Sequence, residues 1–298
     1  MAYADGIDTY VKLGDVIMPF GYHLCPHEFQ RKLYDNYAKI FPFPSSPDVS
    51  YEDETIGAGR IRKFKHFMQE PQTKKALILY FHAGGFFMGG LNSHSDIAAE
   101  ICLHTHADVW LLDYPLAPEH PYPAGLEFSW QVFQKASNAQ TYDHIHVAGD
   151  SSGGNMAVYI ASRASKQGGV PINKVSLFCP LLNFDRWSSG GDDAPRLSGG
   201  EMEHFVRCYT EGVVRPDHRD VSPLLHHDVF DDFPETLVIS AGEDSLKEDA
   251  VILTDILNAK GSKVEHYEAQ GLVHACIRAK GISTATSKAF EIFWKHLS

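Results

Sequence analysis

The sequence is poor in several things that would otherwise set its class. Only five of its 298 residues are cysteine, Cys25, Cys102, Cys179, Cys208 and Cys276. The number is odd and no two form a C-x-x-C pair, so no disulfide framework is written here and reduced thiols in a cytoplasmic setting are expected. No apolar run approaches the roughly 18 residues a spanning helix needs. The N-terminus, MAYADGIDTY, has no basic segment leading into an apolar core, so no secretory leader is expected. Basic residues number 26 against 38 acidic, a formal charge of −12. Without a basic cluster, binding to a phosphate backbone is excluded, and the charge is assigned to solubility. Neither G-x-G-x-x-G nor G-x-x-x-x-G-K-[ST] occurs. The 17 histidines suggest a metal, yet His104/His106, His144/His146 and His226/His227 lack the spacing of H-E-x-x-H or of a two-pair zinc site. No metal or organic cofactor is expected, and no membrane partner.

What is present is an alternation. Short apolar runs at Ala76–Phe81, Asp108–Tyr114, Ile145–Ala148, Val175–Cys179, Thr236–Ser240 and Val264–Glu268 read as strands. Near-continuous apolar strands suit a parallel sheet covered on both faces. Between them Ser95–His104, Leu126–Ser137, Asn155–Gln167 and Lys247–Ala259 read as helices, and Ser287–His296 as a closing helix. This pattern predicts an α/β fold with right-handed crossovers. Two stretches break it. Residues 1 to about 48 carry one predicted helix, His27–Ile40, and a Pro/Ser-rich tail. Residues 184 to about 222 are Gly, Ser and Asp rich, then helical from Glu201 to Glu211. Insertions of that length in a compact domain are usually functional or disordered.

The chemistry concentrates at three places. The strand ending His-Val-Ala runs into Gly149-Asp150-Ser151-Ser152-Gly153-Gly154-Asn155, a G-x-S-x-G string between strand and helix. Such a turn lifts a serine hydroxyl above the sheet and aims a helix N-terminus at it. A serine nucleophile needs a base and an orienting acid, which follow it in the order acid, then His. Glu243 and Asp244, just past the strand Thr236–Ser240, both qualify as the acid by position. Glu248 and Asp249 fall on the following helix, where solvated or capping roles are expected. His274 lies in a loop after the last strand and is the candidate base; His266 is within that strand and reads as structural, and His296 at the terminus as exposed. After Ala76–Phe81 comes His82-Ala83-Gly84-Gly85-Phe86-Phe87. Consecutive glycines let backbone N–H groups approach a substrate oxygen, and the N–H of Ser152 would complete an oxyanion hole.

With these residues on the page, the sequence resembles the hormone-sensitive-lipase-like branch of the α/β-hydrolases, which includes many bacterial carboxylesterases. The motifs are HAGGFFMG (82–89), DYPLAPEHPYPA (113–124), GDSSGGN (149–155), and AGEDSL with GLVHA (241–246 and 271–275). The resemblance implies a mostly parallel eight-stranded sheet in a single domain. It implies Ser151 as nucleophile, Asp244 as acid and His274 as base, with Gly84, Gly85 and Ser152 as oxyanion donors. His82, Asp150 and Glu119 match positions that support the site without meeting substrate. It also implies a helical cap from about 1–48 and about 184–222. Phe20, Tyr22, Phe41, Phe43, Phe86, Phe87 and Phe205 are candidates to line that cap. Four departures stand out: Ala83 replaces the first glycine of the usual His-Gly-Gly-Gly, Pro115 replaces the usual Arg of the second motif, Ser245 replaces a Pro after the acid, and Ala275 replaces a Gly after the base.

The implied function is hydrolysis of small or short-chain acyl esters, acetyl esters among them, through an acyl-enzyme. An amidase or peptidase on the same residues is the alternative, and a non-catalytic ligand-binding hydrolase fold a further one. The expected partner is a small-molecule ester, and the family's habit of pairing subunits leaves a homo-oligomer open.

Overall fold

The computed structural model describes residues 2–67, 76–139, 141–167 and 170–298. Its centre is a sheet of eight strands: β1 (Val49–Ile56), β2 (Gly59–His66), β3 (Ala76–Phe81), β4 (Asp108–Asp113), β5 (His144–Asp150), β6 (Ile172–Phe178), β7 (Glu235–Ala241) and β8 (Val264–Ala269). They lie in the order β1-β2-β4-β3-β5-β6-β7-β8. From β4 to β8 the neighbours are parallel. The six apolar runs are all strands, and β3, β5 and β7 are almost wholly buried, as strands covered on both faces must be.

The first two strands form an antiparallel hairpin that also pairs antiparallel with β4. Sequence reading missed it because VSYEDETI and GRIRKFKH are polar. Besides its backbone ladder the hairpin carries opposite charges across it: Asp53 pairs with the facing Arg62 at 2.7 Å and Glu54 with the diagonal Lys63 at 2.5 Å. Cross-strand pairs of this kind stabilise an edge by a few tenths of a kcal/mol to about 1 kcal/mol each. Ile61 and Phe64 alone of β2's apolar side chains turn inward and are fully buried.

Among the described residues eight α-helices complete the fold: α1 (Ile7–Ile17), α2 (His27–Ala38), α3 (Leu91–Thr105), α4 (Ala124–Asn138), α5 (Ser152–Gln167), α6 (Gly199–Thr210), α7 (Lys247–Ala259) and α8 (Thr284–Leu297). The N-terminal stretch therefore holds two helices rather than one. α1 buries only Ile7, Tyr10 and Gly14, too thin an apolar stripe to stand out in sequence. The chain start is strapped to its end. Ala4 N–H donates to Gly271 O at 3.0 Å, and Asp5 accepts from the Thr284 N–H and hydroxyl at 2.9 Å each. None of the helices among the described residues is long and apolar enough to cross a membrane.

Candidate active site

Ser151 sits where β5 turns directly into α5. Its φ is +51°, in the left-handed region that costs a residue bearing a Cβ on the order of 1 kcal/mol. The turn is held by Ser151 N–H on Phe178 O at 3.0 Å and by the N–H of Leu181 on Ser151 O at 3.0 Å. The flanking glycines are required by contact. A Cβ on Gly153 would lie 2.0 Å from Phe81 O, and one on Gly149 would lie 2.4 Å from Gly153. The helix so started points the free N–H groups of its first turn at the serine.

The other two groups arrive from neighbouring strand ends. Asp244 follows β7; its Oδ1 accepts from Leu246 N–H at 2.9 Å, and its Oδ2 lies 2.8 Å from His274 Nδ1. His274 follows β8, and its Nε2 lies 3.1 Å from Ser151 Oγ. All three are buried, at 6–7% exposure. The carboxylate fixes a proton on Nδ1 and leaves the Nε2 lone pair facing the hydroxyl. Burial pushes the His274 imidazole down, but the Asp244 charge and its hydrogen bond, helped by Glu201 and Asp150, outweigh it and leave the group above its ordinary value. Glu243, the other acid that position allowed, uses its N–H on Leu272 O and does not meet the imidazole. The arrangement can take a proton from a hydroxyl and return it.

Gly84 and Gly85 border the cavity over Ser151 together with His274. Ala83 is buried and carries no positive φ, so a Cβ is tolerated where the family pattern has glycine. His82 stacks on Tyr114, centroids 4.1 Å apart, and donates from Nδ1 to Ala83 O at 2.7 Å. Burial and the neighbouring His94 push it down to about 3, so it stays neutral. Asp150 turns away from the serine and accepts from Tyr80 at 2.8 Å, with His94 at 3.5 Å. Burial opposes its charge, yet His94 and Tyr80 keep its carboxyl below the usual range.

Glu119 does not reach the triad-like group. It is half exposed and holds Arg31 of α2 in a two-pronged pair, at 3.0 and 2.6 Å. Arg31 in turn donates to the carbonyls of Phe87 at 2.9 Å and Ala117 at 2.8 Å. Glu119 thus acts on the glycine loop only through an arginine that sequence reading did not single out.

The covering segments differ from expectation in detail. The cavity over Ser151 is bordered by α2, α6, the glycine loop and the loop after β8. Of the seven aromatics expected to line the cap, Phe205 borders this cavity; Met18, Tyr34, Tyr37, Arg196 and Glu201 are among the lining residues that sequence reading did not single out. Phe205 covers Gly85 so closely that a Cβ there would lie 2.3 Å from its ring. Phe20 is 85% exposed. Phe43 stacks on Phe290, Phe41 packs on Tyr10, Phe86 on Tyr209 and Phe87 on His204. Tyr22 hydrogen-bonds the buried Glu201. Two further expectations fail. Asp249 is not solvated; it is fully buried and accepts from the N–H groups of Leu182 and Asn183 at 2.7 and 3.0 Å, pinning the start of the insertion. His296 is not exposed but tucked against Ser176 Oγ at 2.7 Å. His266 bonds Ser240 at 2.8 Å, a structural role as expected.

Comparison with known proteins agrees with this architecture. A family model described as the alpha/beta hydrolase fold matches residues 78–278. The chain is 33% identical over 228 residues to esterase LipI of Mycobacterium tuberculosis, covering 73% of this chain and 71% of that one. It is 29% identical over 257 residues to carboxylesterase NlhH of the same organism, covering 82% and 80%. Among solved structures, a hyperthermophilic esterase from the archaeon Pyrobaculum calidifontis superposes with a TM-score of 0.85 at 22% identity, over 99% of this chain and 97% of that one. An esterase from the bacterial hormone-sensitive lipase family gives 0.85 at 20% identity over the full length of both chains. The chain belongs to the α/β-hydrolase family, among its hormone-sensitive-lipase-like esterases.

Proposed function

We propose that the protein is a serine carboxylesterase acting on small or short-chain acyl esters, with Ser151 as nucleophile, His274 as base and Asp244 as the group that orients it. The observation that carries this reading is the chain of contacts from Asp244 through His274 to Ser151 Oγ, 2.8 and 3.1 Å, bordering a cavity lined by the covering segments. His274 Nε2 takes the hydroxyl proton as Oγ attacks the ester carbonyl. The carbonyl oxygen becomes an oxyanion beside the N–H groups of Gly84, Gly85 and Ser152, each such donor contributing about 3 kcal/mol. The intermediate collapses, the alcohol leaves with the proton from His274, and an acyl group remains on Ser151. Water, deprotonated by the same imidazole, then releases the acid. The preference for short acyl groups rests on the resemblance to hormone-sensitive-lipase-like esterases.

In this reading the chain is one catalytic domain, capped by residues from about 1–48 and about 184–222. α2 and α6 bring Tyr34 and Phe205 over Ser151, where they exclude water and shape the pocket. The five free thiols fit a reducing, cytoplasmic setting.

Replacing Ser151 with Ala is expected to lower kcat on an acetyl ester by at least ~10³, and a fluorophosphonate probe should label the parent chain and not the variant. Turnover near the parent's by Ser151→Ala would overturn the assignment. Matched ester and amide substrates, assayed in parallel, distinguish an esterase from an amidase.

A further inference from the structure

Two helices from distant parts of the chain meet beside the glycine loop and bring together three side chains that the proposed reaction does not use. His204 and Cys208 stand four residues apart on α6, hence on one face. His27 opens α2. A ring nitrogen from each histidine and the Cys208 sulfur all lie within 4.8 Å of one another. The imidazoles of His27 and His204 are 5.7 Å apart at their centres, and Cys208 Sγ lies 3.7 Å from His204 Nε2. The group borders a surface cavity of about 320 Å³ whose wall also includes Glu211.

The chemistry of this trio is specific. Two imidazoles and a thiol are the donors preferred by zinc-class cations, whose structural and catalytic sites are built from His and Cys. Tetrahedral zinc places its ligand atoms about 3.3 to 3.7 Å apart. The present spacing therefore asks for a shift of about 1 Å, within reach of side-chain rotation. Arg207 lies 3.3 Å from His204 Nδ1 and would oppose a cation, but its side chain is exposed and free to turn outward. Glu211 in the cavity wall supplies an acid of the opposite sign.

We propose that His27, His204 and Cys208 form a binding site for a zinc-class divalent cation, with water or the Glu211 carboxylate in the fourth position, and that the bound ion clamps α2 to α6. Binding would release the Cys208 thiol proton to solvent as sulfur coordinates. The clamp would bear on the glycine loop. Both imidazoles meet the Phe87 ring edge-on, each with centroids 5.0 Å away. The site is separate from the proposed catalytic histidine.

The test uses the full chain, reduced and stripped with a chelator that is then removed. Cobalt(II) is added first and zinc second. One cobalt per chain is expected, with a thiolate-to-cobalt charge-transfer band that zinc abolishes. Cys208→Ser should lose that band, His204→Ala and His27→Ala should weaken zinc binding at least ~10-fold, and His274→Ala should bind as the parent does. Zinc should raise the melting temperature of the parent and leave that of Cys208→Ser unmoved. Absence of the thiolate band in the parent, or zinc binding by Cys208→Ser equal to the parent's, would overturn the proposal. Should Cys208→Ser fail to fold, the band in the parent and the His27→Ala affinity decide by themselves.

Discussion

Arg31 of α2 donates through Nε to the carbonyl of Phe87 at 2.9 Å, while its outer nitrogens hold Glu119 and the Ala117 carbonyl. One guanidinium thus joins the N-terminal segment to the two loops that frame the proposed oxyanion donors. Arg31→Ala leaves both carbonyls without this donor, at a cost of about 1–3 kcal/mol, and should lower kcat about 10-fold by loosening the glycine loop. Glu119→Gln should cost far less, because a half-exposed ion pair contributes only about 0–1 kcal/mol and Arg31 keeps its carbonyls. Melting temperature and kcat for the two variants check this. Equal damage from both would show that the pair, not the arginine, sets the loop.

The His274 imidazole must be neutral to act as a base. Because Asp244, Glu201 and Asp150 together hold its proton more tightly than the ordinary histidine value despite burial, the acid limb of kcat/KM should lie above the pH of a free imidazole. Glu201→Gln removes one of those charges while keeping an oxygen for Tyr22. The limb should then move to lower pH. A limb that stays in place would remove Glu201 from the electrostatics of the site.

Asp249 gives a pH effect of a different kind. Burial raises its carboxyl to about 6 from 3.8, partly offset by Arg186 and by the Leu182 and Asn183 N–H groups. Between those values the folded chain holds a proton that the unfolded chain has lost. The stability this proton contributes is complete below pH ~4 and is drained by pH ~6, a change of about 3 kcal/mol. The advantage of the parent over Asp249→Asn in denaturant unfolding should therefore shrink by that amount from pH 4 to pH 7. A difference independent of pH would mean that Asp249 stays ionised throughout.

Tyr10 donates its hydroxyl to Ala275 O at 2.5 Å, one residue beyond the proposed base. Tyr10→Phe keeps the packing and removes the bond, at about 1 kcal/mol of stability. Since the ring nitrogen must meet Ser151 Oγ within hydrogen-bond reach, kcat should fall several-fold with KM nearly unchanged. A rise in KM alone would make Tyr10 a lining residue rather than a positioning one.

The parallel strands and the serine turn were legible in sequence because both leave a strong local mark. Apolar runs such as ALILYF have little choice but a covered strand, and the G-x-S-x-G string is a local mark: Gly149 is dictated by contact with Gly153 inside the turn, and Gly153 by the close approach of Phe81 on β3. The acid was not: Glu243 and Asp244 are adjacent, and only family resemblance chose between them before the 2.8 Å contact to His274 was seen. What stayed hidden depends on partners far along the chain. The charged hairpin has no apolar run to announce it, and its strands are matched by charge pairs across the ladder, Asp53 with Arg62 and Glu54 with Lys63. Asp249 looks like a surface acid until the Leu182 and Asn183 N–H groups converge on it. His204 and Cys208 share a helix face, but nothing local announces His27 beside them.

The strap between the two ends of the chain bears on how the protein is made. Ala4 and Asp5 find their partners at Gly271 and Thr284, so this strap closes only after residues about 270 positions along the chain are in place, although Tyr10 of α1 already packs on Tyr37 and Phe41 close by in sequence. Contacts of such long sequence separation close late and slowly. The cavity over Ser151, lined by Met18 as well as by His274 and Ala275, is complete only when these distant segments have met.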